Sequence, residues 1–131
     1  MGTNTHSGYK MTLQGEAAMG WYEEMVERFA VVRDEAIREA DAMASPFGES
    51  RASRTLQASG VDLAAIRNVA PLMVDRALMA VLRGIEEGRL PLLIKDRSGQ
   101  VVDMGAEAQG ELPGAIVDIW EASAERPSEE F

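Results

Sequence analysis

Cysteine is absent from this chain of 131 residues, and histidine occurs once, at His6. Disulfides, thiolate metal sites and a cysteine nucleophile are therefore excluded. The lone histidine lies in a polar stretch with no visible partner, so the base that serine or threonine chemistry recruits is missing as well. The phosphate-cradling patterns GxGxxG and GxxxxGKS/T do not occur, nor does GxSxG. No apolar run approaches the roughly 20 residues of a membrane span, and the first residues lack the apolar centre of a secretory signal. Basic side chains are scarce at the end, where residues 98–131 hold one base against eight acids. These absences predict a cytoplasmic protein with no cofactor, no bound metal and no membrane partner.

What is present suffices for one domain. The hydrophobic fraction is 46%, and folding at this length buries about two thirds of the surface of the unfolded chain. The net charge of −9 is uneven: residues 1–50 carry nine acids and four bases, residues 51–97 five acids and eight bases. A strongly acidic chain repels phosphate backbones before contact, which disfavours nucleic acid and favours a basic protein partner, although excess acid also simply aids solubility.

Trp21, Tyr22, Met25, Phe29, Val32, Ala36, Ala40 and Met43 recur at the 3,4 spacing of one helical face, predicting a helix from Gln14 to Ala44 that Ser45-Pro46 ends. Such a helix measures about 45 Å, more than the roughly 30 Å of a small domain. It must overhang, bend, break or pack against a second copy, and a stripe that runs its whole length favours the second copy. The i,i+4 pairs Glu24/Arg28 and Asp34/Arg38 mark its solvent side. Residues 45–60 read as a loop anchored by Phe47, then one or two helical turns around Leu56. Gly60 closes that turn, and Asp62 caps a short helix from Leu63 to Val69.

A central helix is expected from Pro71 to Gly88, with proline in its first turn and glycine at its stop. Met73, Val74, Ala77, Leu78, Ala80, Val81, Leu82 and Ile85 cover half of its circumference, which predicts burial on most sides. Leu72 and Met79, seven positions apart, interrupt the polar wedge of Asp75, Arg76, Arg83, Glu86 and Glu87, where Asp75 is expected to meet solvent. Beyond it, LPLLIKD and QVVDM flank Arg97-Ser98-Gly99 as a β-hairpin over about 90–104. Leu92, Ile94 and Val101 or Val102 are expected to lie on the helices. Residues 105–114 are too glycine-rich for a regular element. Leu112, Ile116, Ile119 and Trp120 then predict a helix from Pro113 to Ala124, with a third strand as the alternative.

Two patterns resemble known sites. Glu23-Glu24-Met25-Val26-Glu27 resembles the first half of the magnesium motif of the MazG-like nucleotide pyrophosphatases, which implies carboxylates converging on a divalent cation and a nucleotide hydrolase. The ExxD half on a following helix is missing, and the three glutamates lie opposite the Met25, Phe29, Val32 stripe. Residues 56–69, LQASGVDLAAIRNV, resemble the turn of a helix-turn-helix DNA-binding motif. Gly60 stands at the turn, Val61 behind it, Asp62 at the cap, and Ile66 and Val69 on the buried side. That resemblance implies a DNA-binding regulator reading bases through Arg67 and Asn68. Leu56 stands where the family prefers alanine, and Pro71 would cut the reading helix to about two turns. Of the remaining carboxylates, only Asp75 and Asp118 are candidates for burial.

The fold class expected is α+β, mainly α: a small helical bundle with one long N-terminal helix, a central buried helix and a single antiparallel β-hairpin. One domain over 13–124 is flanked by a tail at 1–12 and an acidic tail at 125–131. The expected function is a non-enzymatic cytoplasmic protein-interaction module, self-associating as a homodimer, with a composition similar to small acidic immunity or antitoxin proteins and thus suited to a basic partner. Leu72, Met79, Arg76, Arg83 and Val31 are the candidate contact residues.

Overall fold

The structure, a computed structural model, describes residues 14–123, with side chains from Gly20 onward. Both expected tails and His6 lie outside the described residues. The order of elements is α1 (Gln14–Met43), α2 (Arg51–Ser59), α3 (Leu63–Glu86), β1 (Leu93–Lys95), β2 (Val101–Asp103), α4 (Met104–Ala108) and α5 (Ala115–Ala122). The fold is α+β, mainly α, with a two-stranded antiparallel sheet.

The long helix α1 and the helix α3 form an antiparallel pair. Arg67 near the start of α3 reaches the carbonyl of Ala44 just past the end of α1, and Asp75 halfway along α3 meets Arg33. Trp21 and Met25 share a core with Leu82 and Ile85. One end of this pair is thickly covered. Ile94 and Val102 from the hairpin, Met104 and Ala108 from α4, Leu112, and Ala115, Ile116 and Ile119 from α5 all join that core. The helix α5 runs alongside the first half of α1 in the same direction, since its Asp118 accepts from Tyr22 and Ser123 just beyond it reaches Asp34.

The helix α3 is longer than expected: Pro71 does not begin it but sits inside it, buried. The start is set by Asp62, whose carboxylate accepts from the amides of Ala64 and Ala65 at 3.0 and 3.2 Å. Pro71 forfeits one backbone hydrogen bond, but its ring is buried and so adds apolar surface removed from water. The end is as expected. Gly88 takes a positive φ of 83° and Arg89 and Leu90 donate back to the Gly84 carbonyl, closing the last turn.

The burial expected around α3 is too wide. Leu78, Leu82 and Ile85 are buried, whereas Met73, Ala77, Ala80 and Val81 are exposed, Met73 at 65%. A chain of this size covers α3 from one side only. A parallel shift affects α1. Trp21, Met25, Ala30, Arg33, Ile37 and Ala44 form its buried row, while Val32 and Met43 stay exposed. Phe47 does not anchor its loop, being 87% exposed. Ser45 and Gln57 hold it instead: the Gln57 amide donates to the carbonyls of Ser45 and Gly48, both at 3.0 Å.

The hairpin pairs Ile94 with Val102, both turned inward, and leaves Leu93 and Val101 outside. Its three-residue loop is closed by hydrogen bonds between Asp96 and Gln100, with Gly99 at φ +91°. The glycine-rich stretch after it does form a regular turn, α4, because Asp103 caps it by accepting from Ala106. Gly105 is required there: a Cβ would lie 2.6 Å from the Ile85 carbonyl oxygen. Residues 115–122 are helical, as their 3,4 spacing predicts, and not a third strand.

Candidate functional site

Two of the three carboxylates of the EExxE stretch, Glu24 and Glu27, are occupied by arginines. Glu24 is buried at 8% exposure, contrary to its expected place on the solvent side. Its two oxygens accept from Arg97 at 2.6 Å and Arg28 at 3.2 Å, and Glu27 accepts from the other arm of Arg97. Arg97 stands at the tip of the hairpin, so this cluster docks the turn onto α1. Glu27 and Glu24 together hold the Arg97 guanidinium above its ordinary range. Glu23 is exposed. Among the described residues, no group of three or more Asp, Glu or His side chains is placed to hold a metal ion.

The helix-turn-helix resemblance holds for the turn and fails for its packing. Gly60 has the left-handed φ of 78° that closes α2, and Asp62 caps α3. Val61, expected behind the turn, and Val69, expected with Ile66 on the buried side, are each 43% exposed, and Ile66 is half-buried, because no further described helix packs on that side of the corner. Pro71 does not shorten the second helix. Arg67, a candidate base reader, donates from Nη1 to the Ala44 carbonyl at 2.7 Å and thereby ties α3 to the end of α1. Asn68 is exposed.

Asp75 is fully buried, not exposed. It pairs with Arg33, also fully buried, through two near-parallel bonds: Nε to Oδ1 at 2.7 Å and Nη2 to Oδ2 at 3.2 Å. The remaining arm of Arg33 donates to Ser123 Oγ at 3.1 Å, and Ser123 in turn donates to Asp34. Nothing in the helical spacing marked Arg33, since a charged residue on an apolar stripe reads as solvent-facing. Asp118, expected as a buried candidate, is exposed and accepts from Tyr22. Burial, followed by the Asp118 carboxylate, pushes the Tyr22 phenol above its ordinary range.

Of the candidate contact residues, Val31 is 62% exposed, Arg76 and Arg83 are exposed, and Leu72 and Met79 are half-buried. Met79 packs against the core, which accounts for half of the Leu72, Met79 line without a second chain. A larger uncovered surface lies past the Arg33–Asp75 pair. There α1 and α2 bound an open groove of about 610 Å³ lined by Ala36, Glu39, Ala40, Met43, Glu49 and Ala52. A second hollow of about 510 Å³ adjoins it through Met43 and Ala52 and reaches Arg51 and Leu56. Ala36, Ala40 and Met43, from the stripe expected to meet a second copy, line the groove.

A mainly α, α+β domain with an uncovered helical end is thus the class that fold and surface define. No family model matches this chain, and no curated protein or solved structure matches it.

Proposed function

We propose that this chain is a non-enzymatic, cytoplasmic protein-interaction module that works as a homodimer. One observation carries the reading: the far end of the α1–α3 pair is fastened by hydrogen bonds yet left uncovered by the described residues, with Met43 on α1 and Val69 and Met73 on α3 in water and Val31 and Val32 exposed beside the buried pair. Apolar side chains gathered at one end of a small domain are the usual mark of a contact surface. The fastening argues that the end is a finished surface. Arg67 holds Ala44, Gln57 holds two carbonyls of the loop, and Ser53 is buried against Ser50. Exposed acids and bases both occur along this end, Glu39 and Glu49 with Arg51 and Arg54, which suits self-association better than binding to a uniformly charged polymer. Sedimentation velocity at tens of micromolar is the test. A dimer is expected, and a monomer throughout that range sinks the reading.

A second reading, DNA binding through the α2–α3 corner, is supported by the left-handed Gly60 turn and by Arg51 and Arg54 exposed on α2. It predicts a salt-dependent mobility shift of duplex DNA. No shift at low salt removes it.

A further inference from the structure

Charges of both signs edge the two adjoining hollows between α1 and α2, acids at the first and an arginine at the second. On the α1 side and its following loop stand Glu39 and Glu49; on the α2 side stands Arg51, with Arg54 one turn further on. Within the described residues none of these four side chains has a hydrogen-bond or salt-bridge partner. Between these charges, Ala36 and Ala40 form a smooth floor with Met43 at one end, and Val32 stands exposed one turn before them, at spacings of four, four and three. Small side chains at the middle of a helix face let a second helix approach closely, and larger ones at either end fill the splay. This row continues the Tyr22, Met25, Phe29 row that the domain core covers, so its uncovered half has the pattern of a helix face that expects a helix.

From this geometry, and resting on the self-association reading above, we propose that the occupant of the groove is α1 of a second copy. The two α1 helices cross antiparallel about a two-fold axis near Ala36 and Ala40. Each contributes the same patch to the contact, as a closed dimer requires. That arrangement brings Glu39 and Glu49 of one copy towards Arg51 and Arg54 of the other, twice per dimer. It accounts together for an apolar floor without a cover and for two acids and two bases without partners. The walls are preformed: Gly48 lets the loop press onto α2, where a Cβ would come within 2.3 Å of Ser53 Oγ. Little ordering is then left to oppose association.

The test compares dissociation constants by sedimentation equilibrium, with circular dichroism to verify the fold of each variant. Val32→Asp with Met43→Asp, both at exposed positions, is expected to weaken the dimer at least tenfold. Arg51→Glu with Arg54→Glu is expected to weaken it severalfold more at low salt than at high salt. Adding Glu39→Arg and Glu49→Arg to that variant restores it, because the two-fold supplies both halves of every swap. A photo-crosslinker at position 43 is expected to join two chains, landing between Val32 and Leu56 of the second copy. A dimer indifferent to both sets of substitutions overturns this interface and leaves self-association standing. Crosslinks confined to one chain, or a protein that is monomeric throughout, overturn it as well. Should the apolar pair of substitutions prevent folding, the arginine swap and its rescue decide alone.

Discussion

The two ends of the α1–α3 pair use the same helices to different effect. At the near end, Trp21, Met25, Leu82 and Ile85 are covered by the hairpin, α4 and α5, so apolar side chains meet apolar side chains on every inward face. At the far end, among the described residues, the pair is accompanied by the nine residues of α2, whose one buried residue is a serine. Between the ends lies the Arg33–Asp75 pair, shut away from water with Ser123 on its third arm. The apolar cluster stops on one side of it; on the other, Ile37, Ala44 and Ala70 are buried without joining that cluster, and Met43, Val69 and Met73 stand in solvent. Burial of the stripe is therefore decided by what else the chain can bring to it, and not by the stripe. An element of some thirty residues from a chain this short outruns its cover.

The sharpest way to break the comparison is to remove one partner of the buried pair. Asp75→Ala leaves the Arg33 guanidinium buried without its carboxylate, and should cost about 3–5 kcal/mol, a fall in melting temperature on the order of 10 °C or more. Replacing both, Arg33→Met with Asp75→Leu, should return stability to within about 1 kcal/mol of the parent, since the desolvation of two charges vanishes together with their attraction. Urea denaturation followed by circular dichroism measures both. Because Trp21 and Trp120 both stand at the near end, indole fluorescence follows that end alone. If the pair couples the ends, the single substitution should separate the fluorescence and dichroism transitions, which otherwise coincide.

A smaller effect sharpens the contrast of burial. Leu82→Ala, in the closed core, should cost about 2–5 kcal/mol. Val32→Ala, on the same pair of helices but uncovered, should stay within about 0.5 kcal/mol when measured at concentrations too low for association. A comparable loss at both positions under those conditions would show that the far end is covered after all.

Much of this was readable in the residues, and the failures have a common cause. Boundaries carried by local chemistry came out well: the end of α1 before Ser45-Pro46, Asp62 and Gly60 around the corner, Gly88 at the stop of α3, Arg97-Ser98-Gly99 at the hairpin turn. Each depends on a few neighbouring atoms. What spacing alone misjudged depends on partners distant in the chain. Arg33 and Asp75 are 42 positions apart and look like surface charges until α1 and α3 are laid together. Glu24 is drawn inward by Arg97, 73 positions away. Val32 and Met43 belong to the stripe expected to meet a second copy, and no described element of this chain covers them. Pro71 misled in the other direction, since the general rule that proline starts or breaks a helix yields where tertiary packing holds both flanking turns. The groove was legible only in part. Its apolar wall is visible as a stripe, whereas the opposing wall on α2 appears once the loop at Gly48 folds back.

The gentlest probe uses acid, and it addresses the near end alone. Asp96 Oδ1 accepts from the Ser98 hydroxyl at 2.6 Å and from the amides of Ser98 and Gln100 at 2.9 and 3.0 Å. The Ser98 hydroxyl and those turn amides favour the ionised carboxylate, and they hold its pKa below the usual value despite the opposing effect of burial. A carboxylate with a lowered folded pKa contributes stability that is fully present above the unfolded value of about 3.9 and is lost as pH falls through the folded one. The stability difference between the parent and Asp96→Asn should therefore be constant at neutral pH and shrink only below about pH 4. Ser98→Ala removes the leading cause, so the Asp96 carboxyl resonance should titrate at higher pH than in the parent. Above that window Ser98→Ala should also lower the stability of the turn. The far end carries carboxylates of its own, Asp62 at the corner among them, so the comparison is between the parent and Asp96→Asn: the pH course of the α2 side-chain resonances should be the same in both. Resonances of α2 that followed Asp96 would mean that the hairpin and the far end move as one body, with the buried pair transmitting between them and not dividing them.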